Sequence, residues 1–249
     1  MLTFDPDRLD LRPGMRALDM GCGDGRHTAE LVARGVDVVA LDHDPACVTT
    51  TREKLEEVRG WFDDPGEATV LRGDAYALPF EDDAFDLVVA AEVLEHLHDD
   101  EAAMRELLRV LRPDGMLVVT VPRFGPEVVC WGLSRAYHEV EGGHIRIYRR
   151  SQLRERLARA GARIVDRHHA HALHAPYWWL KCAVGVDREH ALLPRLYHRL
   201  LVWDMLQRPW STRAAERLLD PVIGKSIVLY LRPTGEGATT PAREVARAS

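Results

Sequence analysis

Residues 18–25 read LDMGCGDG, and this stretch decides the fold. An apolar run through Met15, Ala17, Leu18 and Met20 enters it, and a helical pattern with Leu31 and Val32 on its inner face leaves it. The pattern is strand, tight loop, helix. Gly21, Gly23 and Gly25 let the backbone come close to a ligand, since no Cβ stands in the way. The helix is expected to start near Asp24 and to point its N-terminal amides at the same place. A second apolar run, Val36, Val38, Val39 and Leu41, ends at Asp42. An acid at the tip of a second strand is placed to accept hydrogen bonds from two ribose hydroxyls. Together these features describe a pocket for a nucleoside.

Outward from the loop the same alternation repeats. The first strand covers about Arg16 to Met20, its helix Asp24 to Arg34, and the second strand Asp37 to Leu41. A helix follows Pro45, and a short strand from Ala68 to Leu71 leads into GDAYALPF, residues 73–80. Asp74, just past a strand end, can accept from an adenine amino group, and the Ala75 amide can donate to a ring nitrogen. Asp74 alone also suits an ordinary turn. Phe85 to Ala90 is a continuous apolar run, as expected of a strand buried on both faces. A helix from Asp99 to Leu111, a turn at Arg112-Pro113-Asp114-Gly115 and a strand from Met116 to Val121 follow. Strands alternating with helices over short links imply a parallel sheet covered on both faces.

The loop spacing, Asp-x-Gly-x-Gly-x-Gly from Asp19, differs from the GxGxxG of dinucleotide sites. It resembles the first motif of class I S-adenosylmethionine-dependent methyltransferases. Asp74-Ala75 ahead of Leu78-Pro79-Phe80, Val93-Leu94-Glu95-His96-Leu97 and LRPDG before an apolar strand add to the resemblance. It spans residues 16–165 and the last strand, and is nearest to the methyltransferase type 11 branch that includes ubiquinone and menaquinone biosynthesis enzymes. The resemblance implies a Rossmann-like α/β fold: a seven-stranded, mostly parallel sheet whose last strand, Gly224 to Arg232, is antiparallel. It implies S-adenosyl-L-methionine as cofactor, with Asp19, Gly21, Cys22, Gly23, Asp42, His43, Asp74, Ala75 and Glu92 around it. Asp19, Asp42, Asp74 and Glu92 all stand at carboxyl ends of strands, where such sheets bind ligands. Four carboxylates there suit a ligand with hydroxyls, an ammonium and a sulfonium.

The pattern breaks over residues 122–150, which hang off a strand end and should lie over the pocket. They hold a short apolar helix, Val128 to Leu133, and a polar cluster of Tyr137, His138, Glu139, Glu141 and His144. Alternating Ile145 and Ile147 suggest an extended backbone at His144. In related small-molecule methyltransferases a histidine in a Gly-His-x-Arg setting faces the acceptor. A neutral imidazole is a suitable base for a hydroxyl, and Glu139 or Glu141 would orient it. His144 and Glu139 are thus the candidate catalytic residues. By the resemblance Glu92 and His96 lie near the reaction; His96 also suits a structural hydrogen bond at a helix start, and that reading is preferred. Ser151 caps the next helix, which ends at Gly161. His168, His169, His171 and His174 invite a metal reading, but strand alternation sets His168 opposite His169 and His171. They make no closed site, and no metal is expected.

Residues 173–222 form a helical, apolar cap before the last strand. It suits a lid over an apolar or aromatic acceptor, a homodimer surface or a peripheral contact with a membrane. The methyltransferase domain is expected over residues 1–232, with a disordered tail over 233–249. Few residues precede the first strand, so another segment must close the pocket. The chain's 249 residues, 46% hydrophobic and 29% charged, suit one such domain. A net charge of -6 with no Lys/Arg-rich block argues against nucleic acid as partner. Four scattered cysteines fit a reducing cytoplasm, and no apolar run is long enough to span a membrane. Methyl transfer to a hydroxyl of a small molecule is the leading reading. An NAD(P)-binding oxidoreductase and a non-catalytic S-adenosylmethionine-binding module are the alternatives.

Overall fold

The structure is a computed structural model that describes residues 2–139, 143–188, 190–207 and 209–235. Its strands are β1 (Arg16–Met20), β2 (Asp37–Asp42), β3 (Ala68–Arg72), β4 (Phe85–Ala91), β5 (Leu111–Pro122), β6 (Ala162–Ala170) and β7 (Ser226–Pro233). They form one sheet in the order β3-β2-β1-β4-β5-β7-β6. The pairs among β1 to β5 are parallel, and β7 runs antiparallel to both of its neighbours. The seven-stranded fold and its single reversed strand match the expectation. Strand periodicity puts alternate residues on opposite faces. Leu18, Met20, Val88 and Ala90 therefore face one core, while Ala17, Leu87 and Val89 face the other.

The first core is closed by α3 (Asp100–Val110) and α5 (Arg150–Ala160), through Met104, Leu107, Leu153 and Leu157. The second is closed by α1 (Arg26–Ala33), through Leu31 and Val32, and by Phe4 and Leu9 of the N-terminal segment. A further helix, α2 (Pro45–Val58), lines β2 and β3. On the rim above β4 and β5 stands α4 (Phe124–Leu133). The cap consists of α6 (His174–Val184), α7 (Leu192–Gln207) and α8 (Trp210–Ile223). In it α6 packs on α4 and α7, and α8 packs on β6.

Five local expectations change. The glycine loop extends through Gly25, whose left-handed backbone (φ 74°) caps α1, so the helix starts at Arg26. Residues 112–115 do not separate helix from strand. Leu111 already pairs with Phe85, and the ladder resumes at Leu87 with Met116, so RPDG is a bulge within β5. Ser151 lies inside α5, whose cap residue is Arg149 with no side-chain bond. The backbone at His144–Ile147 is irregular and joins no sheet; it is tied instead by the Ile145 amide donating to the Glu95 carbonyl (3.1 Å). Of the tail expected over 233–249, Pro233 belongs to β7, and residues 236–249 lie outside the described residues.

The histidine-rich segment also reads differently. β6 ends at Ala170, so strand alternation does not govern His171, which sits at φ 68°. Its Nε2 donates to the Leu2 carbonyl (2.8 Å). His168 stacks on Tyr230 at 5.7 Å. Burial holds His168 and His174 at about 4 and His171 at about 3, so all three are neutral near pH 7.

Candidate active site

The carboxyl ends of β1, β2, β3 and β4 meet at one rim, and backbone bonds lock them together. The Gly21 and Cys22 amides donate to the Leu41 carbonyl (2.7 and 3.1 Å), and the Gly73 amide donates to the Asp42 carbonyl (3.0 Å). The glycine loop, the Asp42 tip and the Asp74 segment are therefore neighbours. Gly21, at φ 72°, packs so closely that a Cβ there would stand 2.4 Å from Val93. Gly23, at φ 55°, has nothing within 4 Å of where its Cβ would be. One glycine fits the loop to the protein, and the other leaves room in front of it.

Asp42 is buried, and its two oxygens are fixed by separate amides: Gly23 donates to Oδ2 (2.9 Å) and Asp44 to Oδ1 (3.0 Å). A carboxylate oxygen has two lone pairs, so each retains acceptor capacity. His43 beside it is 90% exposed, its ring 3.5 Å from Asp42. Asp74 is exposed and accepts the Tyr76 amide (2.9 Å), so it makes the ordinary turn while standing at the rim. Ala75 packs against the first core.

The other two rim carboxylates are matched by threonines. Thr28 Oγ1 donates to Asp19 Oδ2 (2.6 Å), and Thr120 Oγ1 donates to Glu92 Oε1 (2.8 Å). Asp19 is fully buried, and burial raises it to about 6. It joins β1 to α1. Glu92 holds a left-handed backbone (φ 58°), and its amide is tied to Thr120 O (3.0 Å) and Oγ1 (3.1 Å). Cys22 is buried against Thr51 (Sγ···Oγ1 3.6 Å), and burial pushes its thiol up to about 12. It is an inert packing residue.

A second polar cluster lies just beyond β4. The turn Leu94–His96 and the segment around Gly143–Ile145 cross here. His96 Nδ1 donates to the Gly143 carbonyl (3.2 Å), and His144 Nδ1 lies 2.6 Å from Glu127 Oε1. The two imidazoles meet edge to face at 4.9 Å. Glu127 is 1% exposed and also receives Trp131 Nε1 (3.3 Å) and the Tyr137 hydroxyl (3.3 Å). Burial alone would raise Glu127, but the hydrogen bond from His144 and the charge of Lys225 hold it below the usual carboxylate range. Glu95 is fully buried, and burial raises it well above that range, with the Glu92 charge adding to the effect.

His144 is thus oriented by Glu127 rather than by Glu139. Glu139 follows the short turn Arg135–Tyr137, which turns it outward; it is 62% exposed and sits 4.0 Å from His138. Glu141 lies outside the described residues. His96 has the structural hydrogen bond expected of it, but to a loop rather than its own helix. The sequence carried a signal for Glu127: it is the one charge in the apolar helix FGPEVVCWGL, and a carboxylate buried in such a setting is almost always paired. Glu95 inside VLEHL carries the same signal. Aromatic rings wall this cluster: Tyr137 meets Trp178 at 5.6 Å, and Trp131 stacks on His138 at 4.3 Å.

Residues 18–119 match the family model described as a methyltransferase domain. A demethylmenaquinone methyltransferase from Beutenbergia cavernae is 34% identical over 129 residues, 51% of this chain and 50% of that protein. A ubiquinone/menaquinone biosynthesis C-methyltransferase, UbiE, from a Shewanella species is 38% identical over 111 residues, 43% of each chain. The chain spans about half the length of these curated relatives. Among solved structures, the [4+2]-cyclase SpnF covers 92% of this chain and 78% of its own, at a TM-score of 0.60 and 23% identity. At that identity the likeness is one of fold. The cofactor of a class I methyltransferase domain is S-adenosylmethionine, and the rim fits it. Gly23 leaves open space where a ligand would lie, and Asp42 presents two anchored oxygens to it.

Proposed function

We propose that this chain, whose residues 18–119 are a class I S-adenosylmethionine-dependent methyltransferase domain, transfers a methyl group to a hydroxyl oxygen of a small apolar or aromatic molecule. The observation that carries the hydroxyl is the His144–Glu127 pair at 2.6 Å, joined to the turn just past β4 by the edge-to-face contact of His144 with His96 at 4.9 Å. When bound, S-adenosylmethionine supplies a methyl group made electrophilic by its sulfonium. Asp42 holds the ribose, the Gly21–Gly23 backbone approaches the amino-acid part, and Asp74 with Ala75 meets the adenine. His144 is the residue on which ionisation of the acceptor hydroxyl depends, because Glu127 takes up Nδ1 and leaves Nε2 to face the acceptor. Most of the acceleration is positioning and exclusion of water.

The acceptor's apolar character is supported by Tyr137 against His144, by Trp178 of α6 against Tyr137, and by Trp131, which bonds Glu127. Residues 122–150 and 173–222 are the acceptor-side parts of one domain that extends to β7. The exposed apolar side chains of α7, Leu196, Leu200 and Trp203, suit a contact between two copies of the chain. Among the described residues no helix is long and apolar enough to cross a membrane.

Methylation at carbon is the second reading, because one of the relatives above, the C-methyltransferase UbiE, is named for it. The matched family model ends at residue 119, before Glu127 and His144, so it carries no acceptor with it. Calorimetric titration with S-adenosylhomocysteine, beside NAD, tests the cofactor: micromolar binding of the former alone is expected. Turnover of matched phenol and aromatic-carbon acceptors then separates oxygen from carbon.

A further inference from the structure

Three groups meet just beyond β4: Glu95, His96 and the Nε2 side of His144, the nitrogen that the methyl-transfer reading turns toward the acceptor. One ligating atom from each lies within 4.8 Å of the others. Glu95 has no solvent exposure, and neither of its carboxylate oxygens has a hydrogen-bond partner on another described residue. An ionised carboxylate this deeply buried needs donors or a cation, or else gives up its charge by taking a proton.

The two histidines are prepared for the same task. A carbonyl oxygen can only accept, so the bond from His96 to Gly143 puts the proton on Nδ1 and a lone pair on Nε2. The Glu127 carboxylate does the same to His144. Histidines that bind metals usually donate their other nitrogen to a carboxylate or a backbone carbonyl, which fixes tautomer and ring direction. Here one ring has each kind of partner. Glu92, held at φ 58° by Thr120, adds a further negative charge beside Glu95.

We propose that Glu95, His96 and His144 bind a divalent first-row metal cation, and that this cation takes the oxygen of the acceptor hydroxyl. The site departs from the expectation that the chain binds no metal, which considered only the histidines of β6 and α6. Two imidazoles and one carboxylate suit first-row divalent ions with positions left open. Ligands at about 2.1 Å from one ion stand about 3–4 Å apart, so the three groups need only close by about an ångström. What the cation does rests on the hydroxyl-acceptor reading: it lowers the acceptor's pKa and fixes its oxygen. The proton then leaves to solvent from a metal-bound oxygen, and His144 acts as a ligand. Whether the cation binds does not depend on that reading.

The test is direct titration of the full chain, stripped with chelator, with Co²⁺. Visible absorption and equilibrium dialysis are read together. One Co²⁺ per chain is expected, with visible bands that saturate. Glu95→Gln, which keeps size and shape, and His96→Ala are each expected to weaken binding by about tenfold or more. His168→Gln, outside the cluster, leaves it unchanged. Circular dichroism checks that each variant folds, and His96→Ala carries the test if the buried Glu95→Gln does not. No saturable band, or bands identical in the folded variants, would overturn the site. S-adenosylhomocysteine binding without Co²⁺ binding overturns the cation site alone. Co²⁺ binding without S-adenosylhomocysteine binding upholds the site and removes the methyl-transfer reading.

Discussion

His144 Nδ1 and Glu127 Oε1 lie 2.6 Å apart, with the carboxylate almost wholly inside the protein. A charge-assisted bond of this kind is about twice as strong as a neutral one. It also fixes which nitrogen of the ring faces the acceptor. Glu127→Gln keeps the shape and removes the charge. We expect turnover on a hydroxyl acceptor to fall about tenfold or more, with S-adenosylhomocysteine affinity unchanged. Calorimetry and initial rates on the same preparation check both halves.

Asp42→Ala removes the acceptor of the Gly23 amide and the two oxygens assigned to ribose. Loss of such paired bonds is worth about 1–3 kcal/mol, so affinity for S-adenosylhomocysteine should drop about tenfold or more. Unchanged affinity by calorimetry would remove Asp42 from the cofactor site.

Gly21 and Gly23 should respond differently to alanine. Both have positive φ, which strains an alanine by about 1 kcal/mol. Gly21→Ala also drives a methyl group into Val93, and should destabilise by a further 1–3 kcal/mol or so. Val93→Ala in the same chain should recover part of that loss. Gly23→Ala meets nothing in the protein, so it should cost no more than the backbone strain while cofactor affinity falls. Melting curves with and without S-adenosylhomocysteine separate the two.

His171 supplies a test of acid stability. Burial holds it at about 3 in the folded chain, against about 6.5 when unfolded. The unfolded state therefore takes up a proton that the folded state refuses, and stability is lost as pH falls from about 6.5 toward 3. His171→Gln, which retains a donor for the Leu2 carbonyl, should lose about 1–2 kcal/mol less than the parent between pH 7 and pH 5. Urea unfolding at the two pH values measures the difference.

The sheet and its cofactor rim were legible because they are written in local pattern. Apolar runs such as Phe85 to Ala90 mark strands, and a loop like LDMGCGDG can close only over small residues. What was not legible depends on distant partners. Nothing in the sequence shows that Asp19 and Glu92 are each bonded by a threonine of another element, Thr28 and Thr120. The partner of His144 is Glu127 on α4, where sequence nearness favoured Glu139. RPDG has the composition of a turn, and only the register of β4 with β5 makes it a bulge. The buried Asp100, held by Tyr148, Arg146 and Arg156, is likewise a meeting of α3 with residues far along the chain.

The cap leaves the sheet after Ala170 and rejoins it at Ser226, and these two residues are paired in register. Its two ends thus meet at a single rung of the ladder. A graft of a different helical cap between those residues asks nothing of the β6–β7 pairing except that its own ends be close. The cap's share of the proposed acceptor surface is therefore an exchangeable cassette. Chimeras joined at Ala170 and Ser226 would carry a new acceptor surface on an unaltered cofactor rim.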